Sequence, residues 1–189
     1  MKNEDERAIQ AVLDGDTESF GVLIRKYQTP VYNLMLRTTG CVEDATDLTQ
    51  EVFLRAFRKL DTFLADKSFF TWIYTIGVNL ARDSLRKKKR RQRWFQSEGD
   101  LPFPPVEAKM GADARLDTRR AELLSLYQGL LALSLDYREA LILRYREGLN
   151  MKELAEVLQI SESGAKMRVH RGLQQLKAKL KDKGEADER

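Results

Sequence analysis

The stretch from Gly148 to Leu180, GLNMKELAEVLQISESGAKMRVHRGLQQLKAKL, has the spacing of two helices joined by a tight turn. Gly148 suits a left-handed helix stop, and Asn150 with Glu153 three residues later fits a capping box. The chain must then turn within about three residues after Leu158, where Ser161 offers a side-chain oxygen to cap the next helix. This pattern predicts a helix-turn-helix.

Gln159 occupies the turn position at which glycine would accept a positive φ freely. A residue with a Cβ costs roughly 1 kcal/mol in that conformation. The flanking apolar residues can absorb such a cost, so the helix-turn-helix prediction stands.

The second helix of this motif has two different faces. At about 100° per residue, the positions predicted to be buried are Ala165, Val169, Leu173, Leu176 and Leu180. The opposite face is mostly polar and could enter the major groove, where Arg binds guanine and Lys or Arg takes phosphates. The predicted DNA-contacting residues are Ser163, Lys166, Met167, Arg168, His170 and Arg171. The alternative is a solvated helix face, and His170 fits a surface histidine equally well.

Composition excludes several classes of protein. The 189 residues include one cysteine, Cys41, and one histidine, so neither an intramolecular disulfide nor a Cys/His metal site can form. We expect no metal, no cofactor and a reducing, cytoplasmic setting. No phosphate-binding loop or hydrolase motif occurs, which predicts that the chain is not an enzyme. The polar N-terminus and the lack of a long apolar run predict no membrane insertion.

Three of the four prolines divide the chain into two parts. Pro102, Pro104 and Pro105 fall in QSEGDLPFPPVEAKMGAD, which lacks helical periodicity. We interpret residues 94–116 as a flexible linker between one domain at 1–93 and another at 117–189.

Helical periodicity recurs on both sides of this linker. Apolar residues from Phe20 to Met35 predict an amphipathic helix, with a kink or a break expected at Pro30. A second helix covers DATDLTQEVFLRAFRKL, and a third begins near Ser68. Beyond the linker, another apolar face consists of Leu123, Leu124, Leu126, Tyr127, Leu130 and Leu131. No strand-like alternation persists, so the predicted fold is all-α with two small helical domains.

In order along the chain, these stretches resemble the extracytoplasmic-function (group IV) sigma factors of bacterial RNA polymerase, in the sigma-70 family. The segment GDTESFGVLIRKYQTPVYNLMLRTTG looks like the opening of sigma region 2, and DATDLTQEVFLRAFRKLDTF like its polymerase-binding helix. FFTWIYTIGVNLARDSLRKKKRR looks like the segment that engages the -10 promoter element. LDYREALILRYREGLNMKELAEVLQISESGAKMRVHRGLQQL looks like region 4, which reads the -35 element.

The resemblance implies two further sets of site residues. For the -10 element these are a loop that would hold a flipped base and residues on the helix after it: Phe63, Asp66, Lys67, Ser68, Phe69, Asn79, Arg86 and Arg90. Aromatic stacking stabilises single-stranded bases, while basic side chains hold duplex phosphates. For polymerase binding, the implied residues lie off the apolar stripe of their helix: Asp47, Gln50, Glu51, Leu54, Arg55 and Arg58.

The resemblance implies three partners: promoter DNA, RNA polymerase core through its clamp and flap regions, and an anti-sigma factor. Met167 stands where many members carry Ser, and Ala165 where Val is usual, so the resemblance does not give the -35 sequence. Two other hypotheses remain open. One is a helix-turn-helix regulator with an N-terminal sensor or dimerisation domain; the other is a protein-interaction module that retains the fold without using DNA.

Overall fold

A computed structural model describes residues 4–64, 67–95 and 114–187. These residues are helical and contain no strand, which confirms the all-α prediction. They form two compact units, each with its own apolar core. Helix extends into both ends of the predicted linker, to Phe95 and from Ala114, and residues 96–113 lie outside the described residues. Within the described ranges, no helix is both long and apolar enough to cross a membrane.

The described N-terminal unit contains four α-helices: α1 Glu4–Leu13, α2 Phe20–Thr39, α3 Val42–Arg58 and α4 Phe69–Phe95. Short 3-10 turns at Thr17–Ser19 and Leu60–Thr62 precede α2 and follow α3. Helices α2, α3 and α4 pack on one another, and α1 packs on α2. The side chains with no exposed surface at their interface include Leu23, Val31, Leu34, Met35, Val52, Ala56 and Ile73.

The sequence predicted a kink or a break at Pro30; helix α2 continues through this residue, so the break does not occur. Proline removes one backbone hydrogen bond and costs about 3 kcal/mol in a helix interior. On both sides of it, however, α2 buries large side chains, among them Tyr27, Val31 and Leu34. Packing of these residues outweighs the local cost, because a break would expose them to water.

A buried carboxylate fixes α1 to α2. Asp5 is 8% exposed and accepts hydrogen bonds from Lys26 Nζ at 2.6 Å and from the Tyr27 hydroxyl at 2.7 Å. Burial, reinforced by the bond to Asp5, raises the pKa of Tyr27 well above its usual range. The sequence analysis did not identify this contact, since the partners lie more than twenty residues apart.

The described C-terminal unit contains α5 Ala114–Leu131, α6 Leu135–Leu141, α7 Met151–Leu158 and α8 Glu162–Asp187. Helix α6 runs directly into one π-helical turn at Ile142–Arg146. Helix α8 packs against both α5 and α6. A Cβ at Gly172 would lie 3.2 Å from Leu141 Cγ and 3.3 Å from Tyr137 Cβ. Glycine therefore permits the close approach of α8 to α6.

The apolar face predicted for α5 is only half-buried within this unit, at Leu124, Tyr127, Leu130 and Leu131. Gly129 faces α8, where a Cβ would lie 3.0 Å from Leu176 Cδ1. Leu123 and Leu126 are 60% and 38% exposed, in contrast to the prediction. At the end of α5, Arg138 donates to the carbonyls of Leu130, Leu131 and Leu133. These bonds supply donors to carbonyls at and just after the C-terminal end of α5, where helical N–H groups are lacking.

Candidate functional site

The capping interactions and the glycine stop that define the helix-turn-helix are present as predicted. Gly148 has φ 76°. The Glu153 side chain accepts from the backbone N–H of Asn150 at 2.8 Å, and Asn150 Oδ1 accepts from the N–H of Glu153 at 3.0 Å. Ser161 Oγ accepts from the N–H of Gly164 at 3.1 Å. The capping box and the cap of α8 are thus both confirmed.

The turn between α7 and α8 is closed by a left-handed residue, as expected from its position. Gln159 has φ 55°, the one positive φ among the described non-glycine residues. Its N–H donates to the Glu156 carbonyl, and the N–H of Ile160 donates to the Ala155 carbonyl at 3.0 Å. This pair of bonds is a Schellman motif, which ends α7 and directs the chain into α8.

Helix α8 separates a buried face from an exposed one. Ala165 is fully buried, Val169 is 5% exposed and Leu176 is 8% exposed, which confirms the predicted stripe at these three positions, whereas Leu173 and Leu180 are half-buried. Five of the six predicted DNA-contacting residues are exposed: Ser163, Lys166, Met167, His170 and Arg171. Four of them carry polar or cationic groups that can meet base edges or phosphates.

Arg168 differs from the other five residues. Its side chain is 27% exposed, and Nη1 lies 3.0 Å from Oδ1 of Asp136 on α6. Nη1 is buried and makes no hydrogen bond of adequate geometry among the described residues, so the contact is an ion pair. Arg168 therefore links α8 to α6 within the domain instead of extending into solvent beside Arg171.

Aromatic rings cluster where the loop after α3 enters α4. Phe63 packs on Phe69 and Trp72 with centroid distances of 5.7 and 5.4 Å, and Tyr27 lies 5.3 Å from Phe69. Phe69 is 3% exposed, so its ring forms the base of the cluster. Phe63 and Trp72 are half-buried and form its outer part.

Two of the polar residues predicted for this loop lie just before Phe69 in the chain and are described. Lys67 and Ser68 are exposed, and Ser68 accepts the first hydrogen bonds of α4 through its carbonyl. Asp66 lies outside the described residues. The loop therefore combines a partly open aromatic surface with exposed donors.

The aromatic cluster and part of the basic stretch lie on the same side of α4. At about 100° per residue, Trp72, Asn79, Arg86 and Arg90 fall within about 40° of one another. Eighteen residues of α-helix span about 27 Å, so this line of side chains is long enough to follow the backbone of a nucleic-acid strand. Asn79 is half-buried, while Arg86 and Arg90 are exposed. The last three residues are among those predicted for the -10 element, whereas Trp72 is not.

Two ion pairs hold part of the basic stretch. Lys88 Nζ lies 3.1 Å from Oδ2 of Asp44 near the start of α3, and Arg86 Nη1 lies 3.9 Å from Oδ1 of Asp83. The first pair joins α4 to α3. The second is long and solvent-exposed, so it competes weakly with any other anion for Arg86.

The outer face of α3 carries the residues predicted for polymerase binding. Asp47, Gln50, Arg55 and Arg58 are exposed, Glu51 is half-buried and Leu54 is 51% exposed. Glu51 and Arg55 form an ion pair at 2.7 Å. Phe57, on the same helix, is 41% exposed and packs edge-on against Phe20 at 5.2 Å. The face thus combines two exposed apolar side chains with charges of both signs.

A shallow groove of about 300 Å³ extends this face from α3 onto α2. The groove is lined by Gln28, Thr29, Tyr32, Thr46, Thr49 and Gln50. Gln50 belongs both to the groove and to the predicted binding face. The remaining residues gave no sequence signal, because they come from two helices whose relative placement only the fold determines.

Comparisons with known proteins agree with this architecture. The family described as sigma-70 region 2 matches residues 23–91, and that described as sigma-70, region 4 matches residues 123–176. The ECF RNA polymerase sigma factor SigW of Bacillus subtilis (strain 168) is 32% identical over 180 residues, covering 93% of this chain and 96% of that protein. The RNA polymerase sigma-H factor of Pseudomonas aeruginosa is 30% identical, covering 90% of each chain.

Two solved structures have a similar fold. CnrH, solved in complex with the cytosolic domain of CnrY, gives a TM-score of 0.69 at 22% identity and covers 95% of this chain and 99% of its own. The sigma factor RpoE from Bartonella quintana, solved in complex with the anti-sigma factor NepR, gives 0.72 at 22% identity, covering 87% and 98%. Since both domain families and relatives of near-equal length match, this chain belongs to the extracytoplasmic-function RNA polymerase sigma factors of the sigma-70 family.

Proposed function

We propose that this sigma factor binds RNA polymerase core and directs promoter-specific initiation by reading -35 duplex DNA and capturing unpaired -10 bases. In this proposal the domain at residues 117–189 reads the duplex, the domain at 1–93 holds polymerase and the separated strand, and 94–116 links them. The chain itself performs no covalent chemistry. The observation that carries the proposal is the polar, exposed face of α8 behind a capped helix-turn-helix.

The exposed face of α8 supports the duplex-reading part of the proposal. Arg171 can bind guanine through two parallel hydrogen bonds, and Lys166 can bind a phosphate. Ser163 lies in the first turn, where the cap from Ser161 orients the start of the helix. Recognition helices of this motif contact base edges mainly through their N-terminal residues. Arg168 instead supports the position of α8 in the domain, because its guanidinium already forms an ion pair with Asp136.

The aromatic cluster supports capture of an unpaired -10 base. The partly open ring of Phe63, backed by Phe69 and Trp72, offers a surface on which a base can stack. Stacking contributes about 1 to 3 kcal/mol per base without requiring a duplex. Asn79 can donate to a base edge, and Arg86 and Arg90 can hold the adjoining phosphates. One line of side chains on α4 would thus serve both the separated and the paired strand.

Energetics supports a need for polymerase. Opening about a dozen base pairs costs roughly 17 kcal/mol at about 1.4 kcal/mol per step. Specific recognition supplies about 4 to 10 kcal/mol beyond non-specific binding. The α3 face, with Leu54 exposed among charges of both signs, and the groove beside it are the proposed dock for the polymerase clamp.

We extend the proposal to an anti-sigma partner. The RpoE structure from Bartonella quintana contains the anti-sigma factor NepR, and CnrH was solved with the cytosolic domain of CnrY. This chain has the same fold, and its exposed apolar side chains include Leu54 and Phe57. An inhibitor that covered these side chains would compete with polymerase for the α3 face.

Transcription with purified core polymerase on a library of promoters tests the proposal. We expect initiation that depends on this chain and selects a subset of promoters. Replacing Lys166 and Arg171 by Ala should reduce that selectivity, whereas replacing Lys177 and Lys179, which are also exposed on α8, should change it much less. Absence of chain-dependent initiation, together with DNA binding that needs no polymerase, would favour a helix-turn-helix regulator instead.

A further inference from the structure

Met167 is the one apolar side chain among the five exposed, predicted DNA-contacting residues of α8. It is 49% exposed, while Ser163 one turn before it and His170 and Arg171 one turn after it are exposed polar residues. Ala165 and Val169, two positions away on either side, face the core and are 0% and 5% exposed. Met167 therefore lies at the centre of the polar face and contributes little to the packing of the domain.

The edges of base pairs in the major groove present donors, acceptors and a single kind of apolar group, the C5-methyl of thymine. A thioether side chain has no strong donor and accepts hydrogen bonds only weakly. It is flexible, however, and its polarisable surface packs well against small apolar groups. Of the chemical groups on offer in the groove, the thymine methyl is the one that Met167 can contact without burying a polar atom unpaired.

We propose that Met167 is a specificity-determining residue that reads the C5-methyl of a thymine in the -35 duplex. This inference rests on the proposed function and adds the identity of one recognised group. Lys166 and Arg171, on either side of Met167, would hold the duplex while the methionine packs on the methyl. The preference is therefore for thymine over cytosine or uracil at one base pair.

The expected effect follows from the area of one methyl group. Burying a single carbon of this size is worth about 0.8 kcal/mol, which corresponds to about fourfold in affinity. Removing the methyl from the base and truncating the methionine should each abolish the same contact. Their effects are then non-additive, whereas two unrelated changes would multiply.

The test uses the full chain with core polymerase. Binding is first selected from a duplex library with randomised bases in the -35 region, which gives the preferred site. Each thymine of that site is then replaced, one at a time, by uracil, which differs only in lacking the methyl. We expect about fourfold weaker binding at one position for the wild-type chain and no loss at that position for Met167→Ala. Met167→Leu, which keeps an apolar side chain, should retain the preference.

Lys177→Ala is the control, because Lys177 is exposed on the same helix but is not among the predicted DNA-contacting residues. It should keep the uracil penalty at the position where Met167→Ala abolishes it. The inference is overturned if no uracil weakens wild-type binding, or if the penalty persists in Met167→Ala or disappears in Lys177→Ala. A selection that yields no preferred -35 bases at all would instead overturn the proposed function.

Discussion

The hydroxyl of Tyr27 donates to Oδ2 of Asp5 across 2.7 Å, and the ring of the same tyrosine packs on Phe69 at 5.3 Å. Tyr27 therefore connects α1 to the base of the aromatic cluster. Since α1 begins well before residue 23, where the match to sigma-70 region 2 starts, this connection lies partly outside the matched region. It gives α1 a physical role in supporting the loop that precedes α4.

Removing the Tyr27 hydroxyl should destabilise the N-terminal unit. Tyr27→Phe keeps the ring contacts of this residue. It removes one of the two hydrogen bonds to the buried Asp5 carboxylate and leaves the bond from Lys26. We expect the free energy of unfolding to fall by about 1 to 3 kcal/mol, measured by urea denaturation. Tyr145→Phe, at a side chain 62% exposed, should change it by less than about 0.5 kcal/mol. Equal effects from the two variants would contradict the assignment.

Tyr27 should also make the stability of the folded protein depend on pH in the alkaline range. The pKa of Tyr27 is raised in the folded state, first by burial and then by Asp5, relative to about 10 for an unfolded chain. The folded protein therefore holds this proton more tightly, and the contribution to stability is complete below about pH 10 and is lost as the pH rises beyond it. The stability difference between wild type and Tyr27→Phe should narrow from pH 9 to pH 11 in urea titrations; a constant difference would count against this coupling.

Substitutions at Arg168 and Arg171 should affect different properties, the first mainly stability and the second mainly DNA binding. Arg168→Ala removes the ion pair with Asp136 and the packing of the side-chain stem, so we expect a loss of about 1 kcal/mol in stability. Arg171→Ala should leave stability within about 0.5 kcal/mol and weaken -35 duplex binding. Thermal melting and binding to the selected duplex measure the two quantities. If Arg168→Ala weakened binding without a change in melting, Arg168 would be a direct DNA contact after all.

Glycine at the turn between α7 and α8 should stabilise the C-terminal unit. Gln159 has φ 55°, which costs a residue with a Cβ roughly 1 kcal/mol. Gln159→Gly relieves that cost but increases the freedom of the unfolded chain, so we expect a net gain of up to about 1 kcal/mol. Gln159→Ala retains the Cβ and should be near neutral. Denaturation midpoints of the three chains provide the comparison, and a destabilised glycine variant would refute the argument.

The basic stretch of α4 should set part of the salt dependence of promoter binding. Each phosphate contact contributes a slope of about 0.9 to the dependence of log K on log salt concentration. Replacing Arg86 and Arg90 by Gln should therefore lower the slope by about 2, measured with the polymerase complex. Replacing Arg7 and Arg25, which are exposed on α1 and α2, makes the same charge change and should leave the slope nearly unaltered.

Local devices were predictable from the sequence because their partners lie within a few residues of one another. The capping box at Asn150 and Glu153, the cap at Ser161 and the positive φ at Gln159 all depend on spacing alone. The family resemblance, which the comparisons confirm, also followed from the order of the motifs. These are the features for which one short segment contains all the necessary information.

The predictions from sequence were wrong or incomplete where contacts between distant segments determine the structure. Pro30 does not break α2, because buried neighbours on both sides hold the helix together. Leu123 and Leu126 are exposed, because the contact that α5 makes with α8 at Gly129 does not cover them. The Arg168–Asp136 pair and the Asp5–Tyr27 bond each join residues from different helices, so periodicity within one helix could not reveal them.

The separation of the two sides of α8 has an evolutionary consequence. Ala165 and Val169 hold the helix in the domain, whereas Met167, His170 and Arg171 are exposed on the opposite side and contribute little to folding. Mutation can therefore alter the outward set at almost no thermodynamic penalty. Duplicated copies of such a gene are free to diverge in the outward residues while inheriting an unchanged scaffold.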